Sequence, residues 1–512
     1  MATAQVANPF REGLTGERAT QPCQLVIFGA AGDLTGRKLL PAIYNLVQAD
    51  LAPSNFAVVG FARTEMTDDQ FRELLRKSVS ESSEVRERDE QSLDKLAEAT
   101  SYVTGDFKDS SAFARLKSVL DRNDTTFGTG GNRIFYIATP ASLFGLIVRQ
   151  LHDAGLISPQ DGGAGGIVRV IVEKPFGRDL ASAKALNSEL LTYLREDQIY
   201  RIDHYLGKET VQNILVLRFA NAIFEPVWNR NFVDHVQITV AESIGIEGRG
   251  AFYEETGVVR DILQNHMLQL VSLVAMEPPT TFDARDFRDE KIRVIEAMRP
   301  ILLNDAVPGQ YGPGFVAGEA AVGYRQEPGV APDSIVPTYA AIKLRIDNWR
   351  WAGVPYYVRS GKRLPKRVSE IAIQFKETPH LPFRRAGLDV VEGDVLSLRI
   401  QPDEGITLKF GAKVPGPSMR IRQVAMDFSY GATFGAEDAS PYERLILDCM
   451  KGDQTLFDRA DGVEAAWALM DPLLTAWESD RTIHYPNYAA GTWGPKEADE
   501  LLQRDGRAWR LP

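Results

Sequence analysis

The chain has 512 residues, of which 44% are hydrophobic and 25% charged, so its length and composition are those of a globular protein with more than one domain. Its formal net charge of −11 argues against nucleic acid or an anionic membrane as the main partner. No apolar run is long enough to span a bilayer, no secretory signal is visible and only two cysteines occur, so we expect a cytoplasmic location without a disulfide framework.

The first part of the chain alternates short apolar runs with helical patterns. Residues 1–22 are polar and aperiodic, and we interpret them as a flexible arm. The segments predicted to be strands are 24–28, 56–63, 133–140 and 167–177, and the helical patterns after them begin near Thr35, cover 68–80, run to about residue 153 and cover 179–194. Continuous apolar strands that alternate with helices predict a Rossmann-like, doubly wound α/β domain with a parallel sheet, which we place at residues 23–200.

A glycine-containing turn follows the first predicted strand and opens the helix near Thr35. Glycines in this position permit a tight turn and bring backbone N–H groups close to a pyrophosphate at a helix N-terminus. The spacing is not the full G-x-G-x-x-G, and such turns also serve packing alone, but the context of a first βα unit favours a dinucleotide site. The predicted cofactor-binding residues of this turn are Gly29, Ala30, Ala31, Gly32, Asp33 and Leu34.

The tip of the second predicted strand indicates the type of cofactor. NAD enzymes usually carry an acid there to hold the ribose hydroxyls, whereas an arginine accommodates a 2′-phosphate. Arg63 stands at this tip, so we predict that it binds the cofactor and that the cofactor is NADP. Glu65 is close enough to leave some NAD use open, and a plain surface arginine is the alternative interpretation of Arg63.

A lysine ends the fourth predicted strand, in the sequence Glu173-Lys174-Pro175-Phe176-Gly177. Open parallel sheets bind their ligands at the carboxyl ends of the strands. Lys174 is therefore placed to donate to a hydroxyl or ring oxygen beside the nicotinamide, and we predict that it serves both the chemistry and the cofactor. The alternative is a surface lysine before a turn proline.

The pattern changes after about residue 200. Apolar and polar residues alternate in the segments 233–243, 339–347, 355–362, 369–376, 394–402 and 405–413, which is typical of half-buried antiparallel strands. We expect an apolar helix at 258–276 and a final helical stretch at 440–478 to cover one face of their sheet. Residues 201–512 are thus predicted to form an α+β domain with a large, mainly antiparallel sheet.

Residues 201–210, Arg-Ile-Asp-His-Tyr-Leu-Gly-Lys-Glu-Thr, gather ionisable groups around one glycine. If the segment is helical, His204 and Lys208 share a face, and two donor cations near a helix start suit a phosphate dianion. Asp203 would lie out of line with them and would be free to orient another group. A solvated, charge-paired helix start is the alternative interpretation.

One histidine, His266, lies within the very apolar helix predicted at 258–276. A buried core histidine is the usual explanation, but a neutral imidazole near pH 7 is also what proton abstraction from an alcohol requires. Such a base needs a carboxylate behind it. Asp261 is about 140° away around a regular helix and should point elsewhere, toward a substrate hydroxyl, so Asp203 is the better candidate.

Several segments in chain order resemble the glucose-6-phosphate 1-dehydrogenase family: GAAGDL, Arg63, EKPFG, RIDHYLGKE, EGRGAFYEETGVVRDILQNHMLQ, RSGKRL and YERLILD. The similarity runs from about residue 24 to the C-terminus, and RIDHYLGKE is its most specific part. It implies NADP-linked oxidation of β-D-glucose 6-phosphate to 6-phospho-D-glucono-1,5-lactone, the entry step of the oxidative pentose phosphate pathway. It also implies a Rossmann domain joined to an antiparallel-sheet domain that binds substrate and forms homodimers or homotetramers.

The resemblance implies roles for individual residues. His266 would be the general base with Asp203 as its partner, and Lys174 would hold the sugar near the nicotinamide. The residues implied to grip the 6-phosphate are His204, Tyr205 and Lys208. Those implied to lie at or near the sugar are Glu242, Asp261, Lys362 and Arg367, although Lys366 stands beside Arg367 and is the alternative at that position.

Two further expectations concern partners and metal. The N-terminal arm is similar to that of photosynthetic bacterial members, some of which respond to an activator protein, so the resemblance extends to an activator partner. No cluster of histidine, cysteine and acidic residues has the spacing of a metal site, so we expect none.

Two other functions would fit parts of the pattern. A Rossmann sugar or inositol dehydrogenase also joins a nucleotide domain to an open sheet with a Glu-Lys-Pro turn, but it lacks the His204/Lys208 pair. A catalytically silent NADP-binding regulator is the alternative outside enzymes, and the intact set of Asp203, His266 and Lys174 argues against it.

Overall fold

The computed structural model describes residues 19, 21–159, 166–380, 393–417, 419–435 and 440–512. The predicted arm, 1–22, lies almost entirely outside the described residues. Among the described residues, no helix combines the length and the apolar character needed to cross a membrane. Cys23 and Cys449 are both buried and free.

A seven-stranded sheet forms the first part of the described structure. Its parallel strands are β1 (Cys23–Phe28), β2 (Phe56–Ala62), β3 (Thr100–Thr104), β4 (Arg133–Ile137), β5 (Val168–Val172) and β6 (Ile199–Ile202). They lie in the order β6-β5-β4-β1-β2-β3, which is that of a Rossmann fold. All six residues of β1 are buried because helices cover both faces of the sheet.

The helices of this first part connect the strands and continue into the second part. They are α1 (Leu40–Gln48), α2 (Asp68–Glu81), α3 (Glu90–Glu98), α4 (Ser110–Phe127), α5 (Phe144–Asp153) and α6 (Leu180–Tyr193). A π-helical segment, Thr35–Leu39, leads directly into α1. Thr67 caps α2 and Asp179 caps α6, each by accepting a backbone N–H bond, which explains where these two helices begin.

The second sheet has eight strands. They are β7 (Val233–Ala241), β8 (Ala306–Gly309), β9 (Tyr339–Arg345), β10 (Pro355–Gly361), β11 (Val368–Phe375), β12 (Val395–Gln401), β13 (Gly405–Lys413) and β14 (Ile421–Ser429). Their order is β14-β13-β12-β11-β7-β10-β9-β8, and the β7/β10 pair alone is parallel among them. The predicted fold class, a Rossmann-like domain plus an α+β domain with a mainly antiparallel sheet, is confirmed.

The remaining helices surround the second sheet and the junction with the first. They are α7 (Glu209–Phe219), α8 (Gly250–Val258), α9 (Leu268–Ala275), α10 (Ala284–Glu296), α11 (Tyr430–Phe434), α12 (Pro441–Lys451), α13 (Ala460–Ser479) and α14 (Lys496–Gln503). Between α8 and α9 the chain forms a nine-residue π-helical segment, Val259–Met267. Helix α7 packs against β12, and the π-helical segment packs against β10.

The prediction of one helical stretch at 440–478 is wrong. Helices α12 and α13 are separate, and between them the two-residue strand Phe457–Asp458 joins the first sheet as an antiparallel neighbour of β6. Helix α12 packs on α1. The C-terminal part of the chain thus returns to the Rossmann sheet, and one continuous apolar core extends across both parts of the molecule.

Candidate active site

The site centres on a contact between the end of β6 and the π-helical segment. His266 lies in that segment and Asp203 directly follows β6, 63 residues earlier in the chain. The Nδ1 atom of His266 is 2.5 Å from Oδ1 of Asp203, and the two side chains are only 1% and 2% exposed. The backbone N–H of Tyr205 donates to the same oxygen at 2.9 Å, which fixes the carboxylate in place.

Lys174 approaches the other nitrogen of the same imidazole. Its Nζ lies 2.8 Å from Nε2 of His266 and donates to the backbone carbonyl of Asp261 at 2.9 Å. An ammonium group has only donors, so Nε2 must accept and the ring proton must lie on Nδ1, facing Asp203. The histidine is therefore neutral, with its accepting nitrogen on the side of Lys174.

The pKa values of this pair follow from burial and from Lys174. Burial lowers the pKa of His266 well below its usual value, and the Lys174 ammonium lowers it further because it repels an imidazolium. Burial raises the pKa of Asp203, whereas neighbouring cations that include Lys174 oppose that rise. Near pH 7 the imidazole is consequently an unprotonated acceptor, as a general base must be.

The π-helical geometry corrects the expectation for Asp261. On a regular helix Asp261 would be turned away from His266, but a π-helix bonds residue i to i+5, which brings these two residues to the same side. A carboxylate oxygen of Asp261 lies 3.5 Å from Nζ of Lys174, so Asp261 faces the site without contacting the ring. Burial raises the pKa of Asp261, but Lys174 and Lys362 outweigh that effect and the pKa is lowered.

The segment 203–208 is not a helix, so the shared helical face predicted for His204 and Lys208 is absent. The residues form turns between β6 and α7, and Lys208 is the N-cap residue of α7. His204 and Lys208 still lie close to one another, because both lie against Tyr205. The His204 ring lies edge-on to His266 at 4.5 Å between centroids, and the Tyr205 ring stacks on His266 at 4.4 Å.

The charges of this turn also differ from the expectation. Nζ of Lys208 lies 4.6 Å above the centre of the Tyr205 ring and donates to Oε1 of Gln401 at 2.5 Å. Burial lowers the pKa of His204 well below its usual value, and the electrostatic effect of His266 lowers it further. His204 is therefore neutral near pH 7. The turn therefore offers one cation and one neutral N–H donor instead of two cations.

A second group of charged residues lies at the carboxyl ends of the neighbouring strands β7 and β10. Lys362, only 2% exposed at its side chain, donates to Oε2 of Glu242 at 2.6 Å and lies 3.9 Å from Oδ2 of Asp261. Lys366 and Arg367 are both exposed. Arg367 is the one whose charge acts on Tyr205: burial raises the pKa of that phenol to about 12, and Arg367 partly opposes the rise.

The glycine turn lies at the carboxyl end of β1. Gly29 has a φ of +84°, and a Cβ there would lie 2.4 Å from the carbonyl oxygen of Ala138, so only glycine fits. Ala30 is buried, whereas Gly32 and Asp33 are exposed where the helix begins. The first N–H groups of a helix have no intrahelical acceptor, so this exposed turn, flanked by the half-buried Ala31 and Leu34, fits a pyrophosphate.

Arg63 stands next to this turn. The N–H groups of Gly29 and Ala30 both donate to the carbonyl of Phe61, at 2.9 and 3.3 Å, so the turn is bonded to the end of β2. Arg63 lies two residues beyond Phe61, and both Arg63 and Glu65 are exposed. The position of Arg63 fits a group that extends from a dinucleotide bound at the turn.

Family models cover nearly all of the chain. The model for "Glucose-6-phosphate dehydrogenase, NAD binding domain" matches residues 26–213, and the model for the C-terminal domain matches residues 215–510. The chain belongs to the glucose-6-phosphate dehydrogenase family.

Individual members of the glucose-6-phosphate dehydrogenase family are similar over their full length. "Glucose-6-phosphate 1-dehydrogenase 2" of Mycobacterium tuberculosis is 46% identical over 515 residues, covering 100% of this chain and 99% of the relative. The Chlamydia muridarum enzyme is 47% identical, covering 96% of this chain and 97% of its own length. A solved glucose-6-phosphate dehydrogenase in complex with glucose 6-phosphate superposes with a TM-score of 0.87 at 33% identity, covering 97% of this chain and 100% of that one.

The donor atoms of Asp203, His204 and His266 all lie within 4.8 Å of one another, which is close enough to hold a metal ion. Other contacts argue against that role in this member of the family. The Asp203–His266 pair is at hydrogen-bond distance, and the ammonium of Lys174 is 2.8 Å from Nε2. A cation would be repelled by Lys174 and would have to break the pair.

The sequence did not indicate several further polar residues around the pair, of which Glu173 is half-buried and Lys291 and Asp458 are buried. Glu173 accepts a hydrogen bond from the Tyr136 hydroxyl at 2.5 Å, and burial raises the pKa of Glu173 to about 7. Lys291 on α10 and Asp458 lie behind the pair. Glu173 had a signal in its position before Lys174, but Lys291 and Asp458 come from distant segments with no motif of their own.

Proposed function

We propose that this member of the glucose-6-phosphate dehydrogenase family uses His266 as the base that takes the C1-hydroxyl proton of β-D-glucose 6-phosphate. The reaction is the NADP-linked oxidation to 6-phospho-D-glucono-1,5-lactone, the entry step of the oxidative pentose phosphate pathway. The observation that carries the proposal is the buried Asp203–His266 hydrogen bond, which leaves Nε2 as the accepting nitrogen. NADP, when bound, would supply the acceptor for the hydride that leaves C1.

The proton transfer needs an exchange of partners at Nε2. Lys174 donates to that nitrogen, so the substrate hydroxyl must replace it. A displaced Lys174 remains near the sugar, where its ammonium can donate to an oxygen and keep the base unprotonated before the reaction. As His266 becomes an imidazolium, the Asp203 carboxylate stabilises it through Nδ1.

The remaining assignments follow from where the side chains converge. Lys208, with the N–H donor of His204 and the hydroxyl of Tyr205, is proposed to bind the 6-phosphate, because the three surround one side of His266. Glu242, Asp261 and Lys362 are proposed to bind sugar hydroxyls, since Lys362 joins both carboxylates near Lys174. Arg367 is proposed to add positive charge near the phosphate.

The cofactor is proposed to bind along the carboxyl edge of the Rossmann sheet. The turn from Gly29 to Leu34 holds the pyrophosphate, and Arg63 holds the 2′-phosphate that distinguishes NADP from NAD. The residues fit because the helix start at the turn is exposed and Arg63 is beside it.

We also propose a homodimer or homotetramer in the cytoplasm, with the second sheet at the interface. The support is the edge strand β14, on which Val424 and Met426 are 40% and 61% exposed. A long exposed edge with apolar side chains is a surface that proteins usually cover. An activator partner stays a prediction of the resemblance.

Formation of NADPH, followed at 340 nm with glucose 6-phosphate or free glucose, tests the function. We expect turnover of the phosphorylated sugar with NADP, and loss of that preference in Lys208→Ala. In His266→Asn we expect kcat to fall by several orders of magnitude with little change in KM, whereas His484→Asn, at an exposed histidine, should behave as wild type. Near-normal kcat in His266→Asn would remove this residue from the chemistry, and equal turnover of both sugars would indicate a different sugar dehydrogenase.

A further inference from the structure

Behind the Asp203–His266 pair lies a second buried charged pair. Lys291 on α10 and Asp458 on the strand beside β6 are 4% and 7% exposed, and Nζ of Lys291 is 3.6 Å from Oδ1 of Asp458. Gln269 donates its side-chain N–H to the same Oδ1 at 2.8 Å. Buried ionic groups cost folding free energy, so their presence next to the proposed base calls for a reason.

The two charged pairs are linked twice, once through neighbouring strands and once along a helical stretch. Asp458 pairs in register with Arg201 on β6, two residues before Asp203. Gln269 follows His266 by three residues on one continuous helical stretch and therefore lies one turn away on nearly the same face. His266 thus contacts Asp203, and one helical turn later Gln269 contacts Asp458, so the two pairs are neighbours.

The carboxylate of Asp203 is only half satisfied by hydrogen bonds. Its Oδ1 accepts from His266 and from the Tyr205 amide, whereas the buried Oδ2 accepts no hydrogen bond from any residue that the structure describes. Nζ of Lys291 is likewise buried without a hydrogen-bond acceptor among those residues. A buried carboxylate with a bare oxygen depends on nearby positive charge to stay ionised.

Three basic side chains act on Asp203: His204, Lys174 and Lys291. His204 is neutral near pH 7, and Lys174 is the group that the substrate must displace from Nε2. Lys291 is the cation that the exchange of partners at Nε2 does not move, because its pair with Asp458 holds it in place. The positive charge behind Asp203 is therefore independent of substrate.

We propose that Lys291 is a positioning residue that acts through Asp203: its ammonium keeps the carboxylate ionised and thereby keeps His266 in the tautomer that accepts the substrate proton. The inference rests on the proposed role of His266. Asp458 holds Lys291 in place and, as an anion, partly offsets its field. The other titratable groups near the Asp203–His266 pair are Lys174, His204, Tyr205, Lys208, Asp261, Glu173 and Tyr442.

The test is the pH dependence of kcat with saturating glucose 6-phosphate and NADP. Removing a positive charge makes proton uptake by the Asp203–His266 pair easier, so Lys291→Met should move the acid limb of the kcat–pH profile up by about one pH unit. Below the wild-type limb kcat should fall about tenfold, whereas KM should stay nearly unchanged. Lys291→Arg should restore the wild-type profile. Asp458→Asn retains an acceptor for Gln269 and should not move the limb up. Burial raises the pKa of Asp458 to about 6, so this residue has already lost much of its negative charge at acid pH.

Arg288 provides the matched control. It lies one turn earlier on α10, its exposure is 8%, and it donates to Gln454. Arg288→Met should leave the acid limb in place, even if it lowers thermal stability. Should Lys291→Met fail to fold, Lys291→Gln removes the same charge and keeps a polar side chain beside Asp458, and it should move the limb up in the same way.

The proposal is overturned if Lys291→Met and Arg288→Met move the limb equally, if Lys291→Met leaves it at the wild-type pH, or if Asp458→Asn moves it upward. An inactive His266→Asn with an unshifted Lys291→Met refutes only the role of Lys291, whereas an active His266→Asn refutes both.

Discussion

Nζ of Lys174 lies 2.8 Å from Nε2 of His266, the nitrogen assigned to receive the substrate proton. The lone pair of the proposed base is thus already bound to a donor in the structure. Binding of a sugar hydroxyl at Nε2 must exchange one hydrogen-bond partner for another, while the positive charge of Lys174 stays close by. Lys174 therefore both protects the neutral base and sets the pH range in which it works.

Replacing Lys174 tests this relationship. Its ammonium disfavours the imidazolium and so lowers the pKa of His266. Lys174→Met should consequently raise that pKa, and the acid limb of kcat/KM should move up by about one pH unit. Lys174→Arg, which retains the charge, should leave the limb nearer its wild-type position.

The control for this experiment is Lys184→Met, at an exposed lysine on α6, which should not shift the limb. An acid limb at the same pH in wild type and Lys174→Met would contradict the contact with Nε2 in the working enzyme.

Replacing Asp203 tests the tautomer. In Asp203→Asn the new amide N–H can donate to Nδ1, which would place the ring proton on Nε2 and abolish its acceptor. By analogy with triads in which the orienting aspartate is replaced, kcat should fall about 10³- to 10⁴-fold. KM for glucose 6-phosphate should change much less, because Asp203 is not proposed to contact the sugar.

Steady-state kinetics of Asp203→Asn beside Asp197→Asn, at an exposed aspartate, would check this prediction. A loss in kcat below tenfold would show that His266 keeps its tautomer without the carboxylate.

The Rossmann half of the fold was predictable because its signal is local. Strands such as β1 are continuous apolar runs, each followed by a helix, and this alternation indicates a parallel sheet. The alternating strands of the second sheet are equally local. The strand Phe457–Asp458 was not predictable, since two residues carry no periodicity and their partner β6 lies more than two hundred residues earlier.

The residues of the candidate site likewise divide into those with a local sequence signal and those without one. His266 and Asp203 were found because each lies in a motif and their chemistry is complementary. The predicted angle between Asp261 and His266 was wrong, because the chain forms a π-helical segment here and not a regular α-helix. Lys291 was missed because its helix is simply amphipathic in sequence, and only tertiary packing brings the lysine behind Asp203.

Two neighbouring basic residues, Lys366 and Arg367, allow a paired test of the phosphate side of the site. Both are exposed, but the charge of Arg367 acts on Tyr205, which stacks on His266. Arg367→Ala should therefore raise KM for glucose 6-phosphate several-fold with little change in kcat, whereas Lys366→Ala should have little effect. The reverse result would move the assignment by one residue.

The preference for the phosphorylated cofactor is predicted to depend on Arg63. Since the glycine turn is bonded to the end of β2 through Phe61, the Arg63 side chain starts beside the proposed pyrophosphate site. An arginine gains a charge-assisted hydrogen bond from a 2′-phosphate and little from a free hydroxyl. Arg63→Ala should therefore raise KM for NADP about tenfold or more and change KM for NAD little.

The comparison needs both cofactors and a matched variant. Arg76→Ala removes an arginine of α2 that pairs with Asp94, away from the strand end, and should leave both KM values unchanged. Glu65→Ala should improve use of NADP relative to NAD if its charge repels the 2′-phosphate. Equal losses with NADP and NAD in Arg63→Ala would mean that Arg63 supports the turn itself, and the 2′-phosphate would then need another partner.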